Sequence, residues 1–311
     1  MTEFQHQAVL EAEAVRNLIT QEGGIYIDAT YGRGGHSKSI LEAINENGQL
    51  IAIDRDADAV EDAKRRFAYD KRFSIYHAPF SEIAEITSAL NLTGKINGVL
   101  FDLGVSSPQF DNPERGFSFS KDGMLDMRMD RRQKLSARDW INHATESELS
   151  TVFKEFGEEK FARRIARAIV NSRRTQPIYT TAQLASIVSE AHPSWEIGHH
   201  PATKTFQAIR IFINQELEEL DSALNGALDA LTIGGRLAVI SFHSLEDRIV
   251  KRFIRKQSIG DPLPKEIPLA HAPGFVPRLK KVGGIIKPSY SETHANPRSR
   301  SAVMRIAEKL Q

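Results

Sequence analysis

The stretch from Gly24 to Ser37, GIYIDATYGRGGHS, constrains this chain more than any other. A short apolar run ends in small and polar residues, and Gly32, Gly34 and Gly35 follow before Ile40, Leu41 and Ile44 resume at helical spacing. A glycine-rich turn between a strand and a helix lets a ligand approach the backbone, and the helix N-terminus favours a carboxylate or phosphate. The alternation then continues. QLIAIDRD reads as a second strand, ADAVEDAKRRFA as a helix, RFSIYHAPF as a third strand and GKINGVLFDL (94–103) as a fourth. Strands alternating with helices of this length predict an α/β fold whose parallel sheet is covered on both faces.

Asp54, nineteen residues after Gly35, falls at the end of the second strand, where a carboxylate accepts from two ribose hydroxyls. Dinucleotide enzymes and S-adenosylmethionine enzymes share this arrangement, so charge has to separate them. Asp28, four residues ahead of Gly32, would repel a pyrophosphate and attract an ammonium or sulfonium. Residues 1–110 hold 10 basic and 16 acidic side chains, against 31 and 24 in residues 111–311. Both observations favour S-adenosyl-L-methionine over a nicotinamide cofactor. Phe80, after the third strand, reads either as an adenine-stacking ring or as core. With no cysteine and no second histidine at ligand spacing near His36, no metal site is expected.

After residue 110 the pattern changes. Residues 136–191 carry helix signals only: Ser136 ahead of ARDWINHA, Thr145 with Glu148 as a capping box, FARRIARAIVNS, and Thr181 ahead of AQLASIVSEA. A single long helix is expected over 204–231, from Phe206, Ile209, Ile213, Leu217 and Leu220, leading into a fifth strand, GGRLAVISF. LEDRIVKRFIRK reads as another amphipathic helix. Residues 259–297 hold seven of the thirteen prolines and read as an extended loop, and SAVMRIAEK reads as a last strand. The expected division is therefore a sheet domain of residues 1–112 and 204–311 and an inserted helical domain of residues 113–203.

The fourth strand runs into FDLGVSSPQF, which places Asp102 and the following loop beyond the strand's carboxyl end, where reacting groups lie in an open parallel sheet. Ser107, Pro108, Gln109 and Phe110 resemble the Asp/Asn/Ser-Pro-Pro-aromatic loop of amino-group methyltransferases, with Gln109 in place of the second proline. Acceptors in such a loop draw the hydrogens of an exocyclic amine out of plane and restore its nucleophilicity. Methylation at carbon 5 of a pyrimidine usually needs a cysteine adduct, and this chain has no cysteine. Ser106 and Ser107 also suit an ordinary strand-end turn.

DATYGRGGHS, AIDRD, FDLGVSSPQ, ERGFSF with LDMRMD, HPATKTFQAIRI, ISFHSLEDRIVK and NPRSRSA resemble, in order and over nearly the whole chain, the signatures of the ribosomal RNA small subunit methyltransferase H family. The resemblance implies a class I (Rossmann-like) methyltransferase sheet with an inserted all-helical domain that binds RNA. It implies methylation of the N4 amino group of a cytidine in the decoding region of 16S rRNA, with S-adenosyl-L-methionine as cofactor. Carried over residue by residue, the cofactor contacts fall on Gly34, Gly35, His36, Asp54, Phe80, Asp102 and Gln109.

For the RNA, KFARRIARAIVNSRRT offers Lys160, Arg163, Arg164 and Arg167 on one expected helix face, with Arg173 and Arg174 beyond. Phe117 and Phe119 stand among Arg115, Lys121 and Arg128 and suit either base stacking or packing at a domain junction. Arg298 and Arg300 are further phosphate candidates. Ser107 and His243 are the expected amine-orienting, catalytic residues, although a histidine in the SFHSLED position equally caps the next helix. The start of the chain lacks a basic stretch followed by an apolar core, and no run of ~18 apolar residues occurs. A cytoplasmic protein is expected, with 16S rRNA or the small ribosomal subunit as partner and no membrane. A homo-oligomer is allowed by the sequence and not predicted.

Overall fold

The computed structural model describes residues 8–194, 200–260 and 274–311. The chain forms two compact units, residues 1–104 with 217–311, and residues 105–216. The first is built on a seven-stranded sheet of order β3-β2-β1-β4-β5-β7-β6. Its strands are β1 Ile25–Asp28, β2 Gln49–Asp54, β3 Phe73–His77, β4 Ile96–Asp102, β5 Leu231–Ser241, β6 Leu279–Lys281 and β7 Val303–Lys309. Strands β1 to β5 are parallel, as expected, but β7 runs antiparallel to both β5 and β6. No crossover helix long enough to return the chain lies between β6 and β7, and without one only antiparallel pairing is available.

Side chains of successive strand residues enter opposite faces. Tyr26, Leu100, Ala238, Ile240, Met304 and Ile306 pack on one side with helices α1 (Glu11–Leu18) and α2 (Gly35–Ala43). Ile27, Val99, Phe101, Leu237 and Val239 face the other side. Because both faces are covered, the strands read as continuous apolar runs rather than alternating ones. Helix α3 (Ala57–Arg66) closes a smaller cluster around Tyr31, and α4 (Ile83–Ala89) lies against the second face.

The second unit holds α5 (Ser107–Asp111), α6 (Ala137–His143), α7 (Glu146–Gly157), α8 (Ala162–Thr175), α9 (Thr181–Ala191) and α10 (Ala202–Asn214) around one apolar core. Ser136 caps α6, and the Thr145–Glu148 capping box starts α7. The cap of α9 is Thr180 rather than Thr181, whose side chain is buried and donates to the Lys121 carbonyl. The helix expected over 204–231 is two: α10, and α11 (Glu216–Ala230), separated by Gln215 at φ 50°. Asn214 explains the break, since its side chain turns inward to bond the Met127 carbonyl and the Met129 N–H. Phe206, Ile209 and Ile213 consequently join the helical core, while Leu220 joins the sheet core with Ala223, Leu224, Ala227 and Leu228. Helix α12 (Ser244–Ile259) follows β5 and packs Val250, Phe253 and Ile254 on the same face of the sheet. The expected 259–297 loop contains β6 and the whole of the short α13 (Tyr290–Ala295); its residues 261–273 lie outside the described residues. No helix among the described residues is long and apolar enough to cross a membrane.

Several side chains expected at RNA are used by the fold. Arg115 is buried and donates to the carbonyls of Arg128 and Met129. Arg128 pairs with Asp126 and also bonds the Gln133 carbonyl. Phe117 is in the helical core, and the Phe119 ring packs on Phe206 and His200. Lys160 precedes α8, so the exposed basic face of that helix is Arg163, Arg164 and Arg167. Arg173 donates to the Ile141 and Ala144 carbonyls at the end of α6. Arg173→Ala is expected to destabilise the protein by about 1–2 kcal/mol by stripping those carbonyls of their donor. Arg167→Ala, which removes an exposed pair with Glu146, should change stability by less than about 0.5 kcal/mol. Urea unfolding of the two variants measures the contrast.

Candidate active site at the carboxyl edge of the sheet

Three neighbouring strands end on aspartates: β1 on Asp28, β2 on Asp54 and β4 on Asp102. Their register places all three at one edge, beside the glycine turn. Burial is the main cause of a raised pKa at each. Asp28 is fully buried, accepting from the Ser37 hydroxyl at 2.6 Å and the Thr30 N–H at 3.2 Å. It supports the turn from beneath rather than meeting a ligand directly, as its charge had suggested. Asp54 braces the turn from the side: one oxygen accepts from Gly32 N–H and the other from Asp56 N–H, each at 2.8 Å. Its pKa is pushed up to about 6 by burial against those bonds. Each oxygen retains capacity for a second donor.

The turn needs glycine for its own packing. Gly34 has φ +65°, and a Cβ there would stand 2.7 Å from the Tyr31 ring; at Gly35 a Cβ would stand 2.9 Å from the Ala8 methyl. No side chain caps α2, so the first-turn N–H groups of Gly35, His36 and Ser37 have no intrahelical partner and suit a carboxylate.

Asp102 is the carboxylate of this edge with a buried oxygen that has no partner. Its backbone N–H donates to the Thr30 hydroxyl at 2.6 Å, fixing the end of β4 to the residue two beyond β1. Oδ2 lies 3.6 Å from His36 Nδ1, and Oδ1 is buried without a hydrogen-bond partner. Burial, opposed by His36 and reinforced by Asp28 and Glu246, pushes its pKa up to about 6. His36 is itself buried, with Nε2 3.1 Å from the Val9 carbonyl.

Phe80 opens a short 3-10 turn after β3, its ring edge-on to Phe101 at 5.8 Å. The Arg55 guanidinium, paired with Glu219, lies 5.5 Å over the same ring. His243 caps α12: its Nδ1 accepts from the Glu246 N–H at 3.4 Å, and its Nε2 is 3.1 Å from Glu246 Oε1. The sheet unit thus gathers Gly34, Gly35, His36, Asp54 and Asp102 at one edge, with Phe80 and His243 following its third and fifth strands. Ser107 and Gln109 belong to the helical unit, where Ser107 is the first residue of α5 and Gln109 accepts from the Ser106 N–H at 3.0 Å to close a capping box. Sequence reasoning missed Thr30, Arg55, Glu219 and Val9. Thr30 and Arg55 stand inside DATYGRGGHS and AIDRD, where the glycines and Asp54 drew the reading, Glu219 carried no motif, and Val9 acts through its backbone.

A sheet of this order with a glycine turn after its first strand is the class I, S-adenosyl-L-methionine-dependent methyltransferase fold. The residues fit that cofactor: an uncapped helix start for its carboxylate, an acidic edge for its ammonium and sulfonium, and an orphaned acceptor at Asp102 Oδ1. The chain belongs to the MraW methylase family, whose profile matches residues 3–310. It is 57% identical over 309 residues to the ribosomal RNA small subunit methyltransferase H of Alteromonas mediterranea, covering 99% of this chain and 98% of that one. Proteins of the same name from Legionella pneumophila and Pseudoalteromonas atlantica are 54% and 53% identical; the alignments cover 98% and 99% of this chain and 99% of each relative.

An unfolded aspartate titrates near ~3.9. A carboxyl raised to about 6 by folding contributes most stability below that unfolded value, and the contribution is lost as pH rises through 6. Asp102→Asn is therefore expected to stabilise the protein by roughly 1–3 kcal/mol at pH 8 and to change little at pH 4. Denaturant melts of both proteins at the two pH values check the sign.

Proposed function

We propose that this protein methylates the N4 amino group of a cytidine in the decoding region of 16S rRNA, acting in the cytoplasm. The observation that carries the RNA substrate is the identity of 53–57% over nearly the full chain to proteins named for small-subunit rRNA methylation. An amine rather than a ring carbon as acceptor is favoured by the lack of any cysteine for a covalent adduct. S-adenosyl-L-methionine supplies a methyl already activated on a sulfonium. The chain's task is then chiefly alignment and electrostatics.

In this reading the Gly34 and Gly35 turn and the start of α2 hold the carboxylate end of the cofactor. Asp54 accepts from the ribose, and Phe80 offers a ring to the adenine. Asp102, with its unpartnered Oδ1, and Gln109 serve the reactive side. Ser107 and His243 orient the amine, His243 being held by its cap on α12. Asp102→Ala should abolish the N4-methylated cytidine in small-subunit rRNA from cells lacking the native gene, while the wild-type copy restores it. Nucleoside mass spectrometry reads the outcome, and an unchanged nucleoside profile on removing the gene would refute the substrate.

The distribution of charge supports a polyanionic substrate at more than one place. Residues 105–216 carry 16 basic and 14 acidic side chains, whereas residues 217–311 carry 15 and 10. Much of the basic excess after residue 110 thus lies outside the helical unit. On α12, Lys251, Arg252, Arg255 and Lys256 are exposed at three and four spacing, and none is in an ion pair among the described residues. With Arg163, Arg164 and Arg167 of α8 they offer phosphate contacts from both units. Replacing the four α12 cations by glutamine should weaken RNA binding and flatten the slope of log K against log salt by about 3. Filter binding across a salt series gives that slope.

A further inference from the structure

Leu10, the N-cap of α1, has φ 55° and ψ 32°, a left-handed conformation that is costly for a branched side chain. The side chain itself is buried in the core with Ala14 and Leu18. What is unusual is the peptide that precedes it. The Leu10 N–H donates to Glu292 Oε1 at 2.7 Å, across 282 residues of sequence. On the other side of the same peptide unit, the Val9 carbonyl lies 3.1 Å from His36 Nε2. One peptide is therefore clamped between the α13 carboxylate and the imidazole beside the glycine turn.

The clamp sets the chemistry of the ring. A carbonyl only accepts, so the hydrogen sits on His36 Nε2, and Nδ1 presents a lone pair to Asp102 Oδ2 at 3.6 Å, a contact that is favourable when the Asp102 carboxyl holds the proton. A carboxylate drawing on the peptide N–H also polarises its carbonyl and strengthens the bond to Nε2. Glu292 has no ion-pair partner among the described residues, and the cap of its own helix uses its backbone N–H, bonded to Ser289. Helix α1 is tied to α2 independently, by Ser39 and Glu11. The Glu292 carboxylate is thus free of other duties in the fold.

We propose that Glu292 is a positioning residue of the methyl-transfer site, acting through the Val9–Leu10 peptide to fix the tautomer and orientation of His36 and, through that ring, the Asp102 carboxyl group. This rests on the functional reading above. The experiment uses the full chain with Glu292→Ala, Glu292→Asp and Glu292→Gln. Alanine removes the acceptor, aspartate withdraws it by one methylene, and glutamine keeps an oxygen at the same reach. In 15N-labelled protein, the wild type and Glu292→Gln should show His36 as the single Nε2–H tautomer. The alanine and aspartate variants should show an averaged imidazole signal. Their kcat for small-subunit rRNA should fall about tenfold with a smaller change in cofactor KM, while Glu292→Gln stays within about twofold of wild type. If the alanine variant does not fold, the aspartate variant carries the same comparison. Wild-type imidazole signals and kcat in a folded alanine or aspartate variant would overturn the proposal, as would equal losses in the glutamine variant. Should the wild type transfer no methyl to this RNA, the functional reading fails, and the imidazole signals still decide whether Glu292 sets the ring.

Discussion

Three carboxylates crowded at the ends of adjacent parallel strands are the constraint around which the sheet unit is arranged. Asp28, Asp54 and Asp102 share one edge, and burial works against the ionised form of each. The neighbouring groups answer that cost differently. Ser37 and Thr30 donate to Asp28; Gly32 and Asp56 donate to Asp54. Asp102 keeps one oxygen unpartnered and the other beside His36. An edge so arranged is suited to a ligand that is cationic where it meets the strands and anionic where it meets the helix start. S-adenosyl-L-methionine has that distribution.

The glycine turn depends on the same arrangement. Its shape is held by Asp54 from one side, and the spaces that side chains would occupy at Gly34 and Gly35 are filled by Tyr31 and Ala8. Tyr31 is in turn anchored by its hydroxyl to Asp62 on α3 and by ring contacts to Phe67 and Phe73. The turn is thereby tied to three elements that follow it in the chain and to one that precedes it, so a change at any of these reaches the cofactor loop without touching the cofactor.

The two units divide the basic residues in a way that composition obscured. A run such as ARRIARAIVNSRRT looks uniformly cationic, yet Arg173 serves the end of α6, and Arg163, Arg164 and Arg167 face solvent. Arg115 and Arg128 likewise satisfy backbone carbonyls in the loop between α5 and α6. Helix α12, which reads from sequence as one more amphipathic helix, carries the clearer unpaired stripe.

The sequence by itself determined the strands of the parallel sheet, the glycine turn, the aspartates at the ends of β1, β2 and β4, and the caps of α6 and α7. These are local: apolar runs, capping residues and turn glycines each act over a few neighbours. The family signatures were legible as well, because they are contiguous in the chain. Tertiary structure alone decided the direction of β7, the break at Gln215, and which charged side chains the fold consumes. It also decided that Asp28 lies beneath the turn and that Glu292 meets the Leu10 N–H. Each of these depends on groups far apart in sequence competing for the same buried donors and acceptors, and that competition has no periodicity to read.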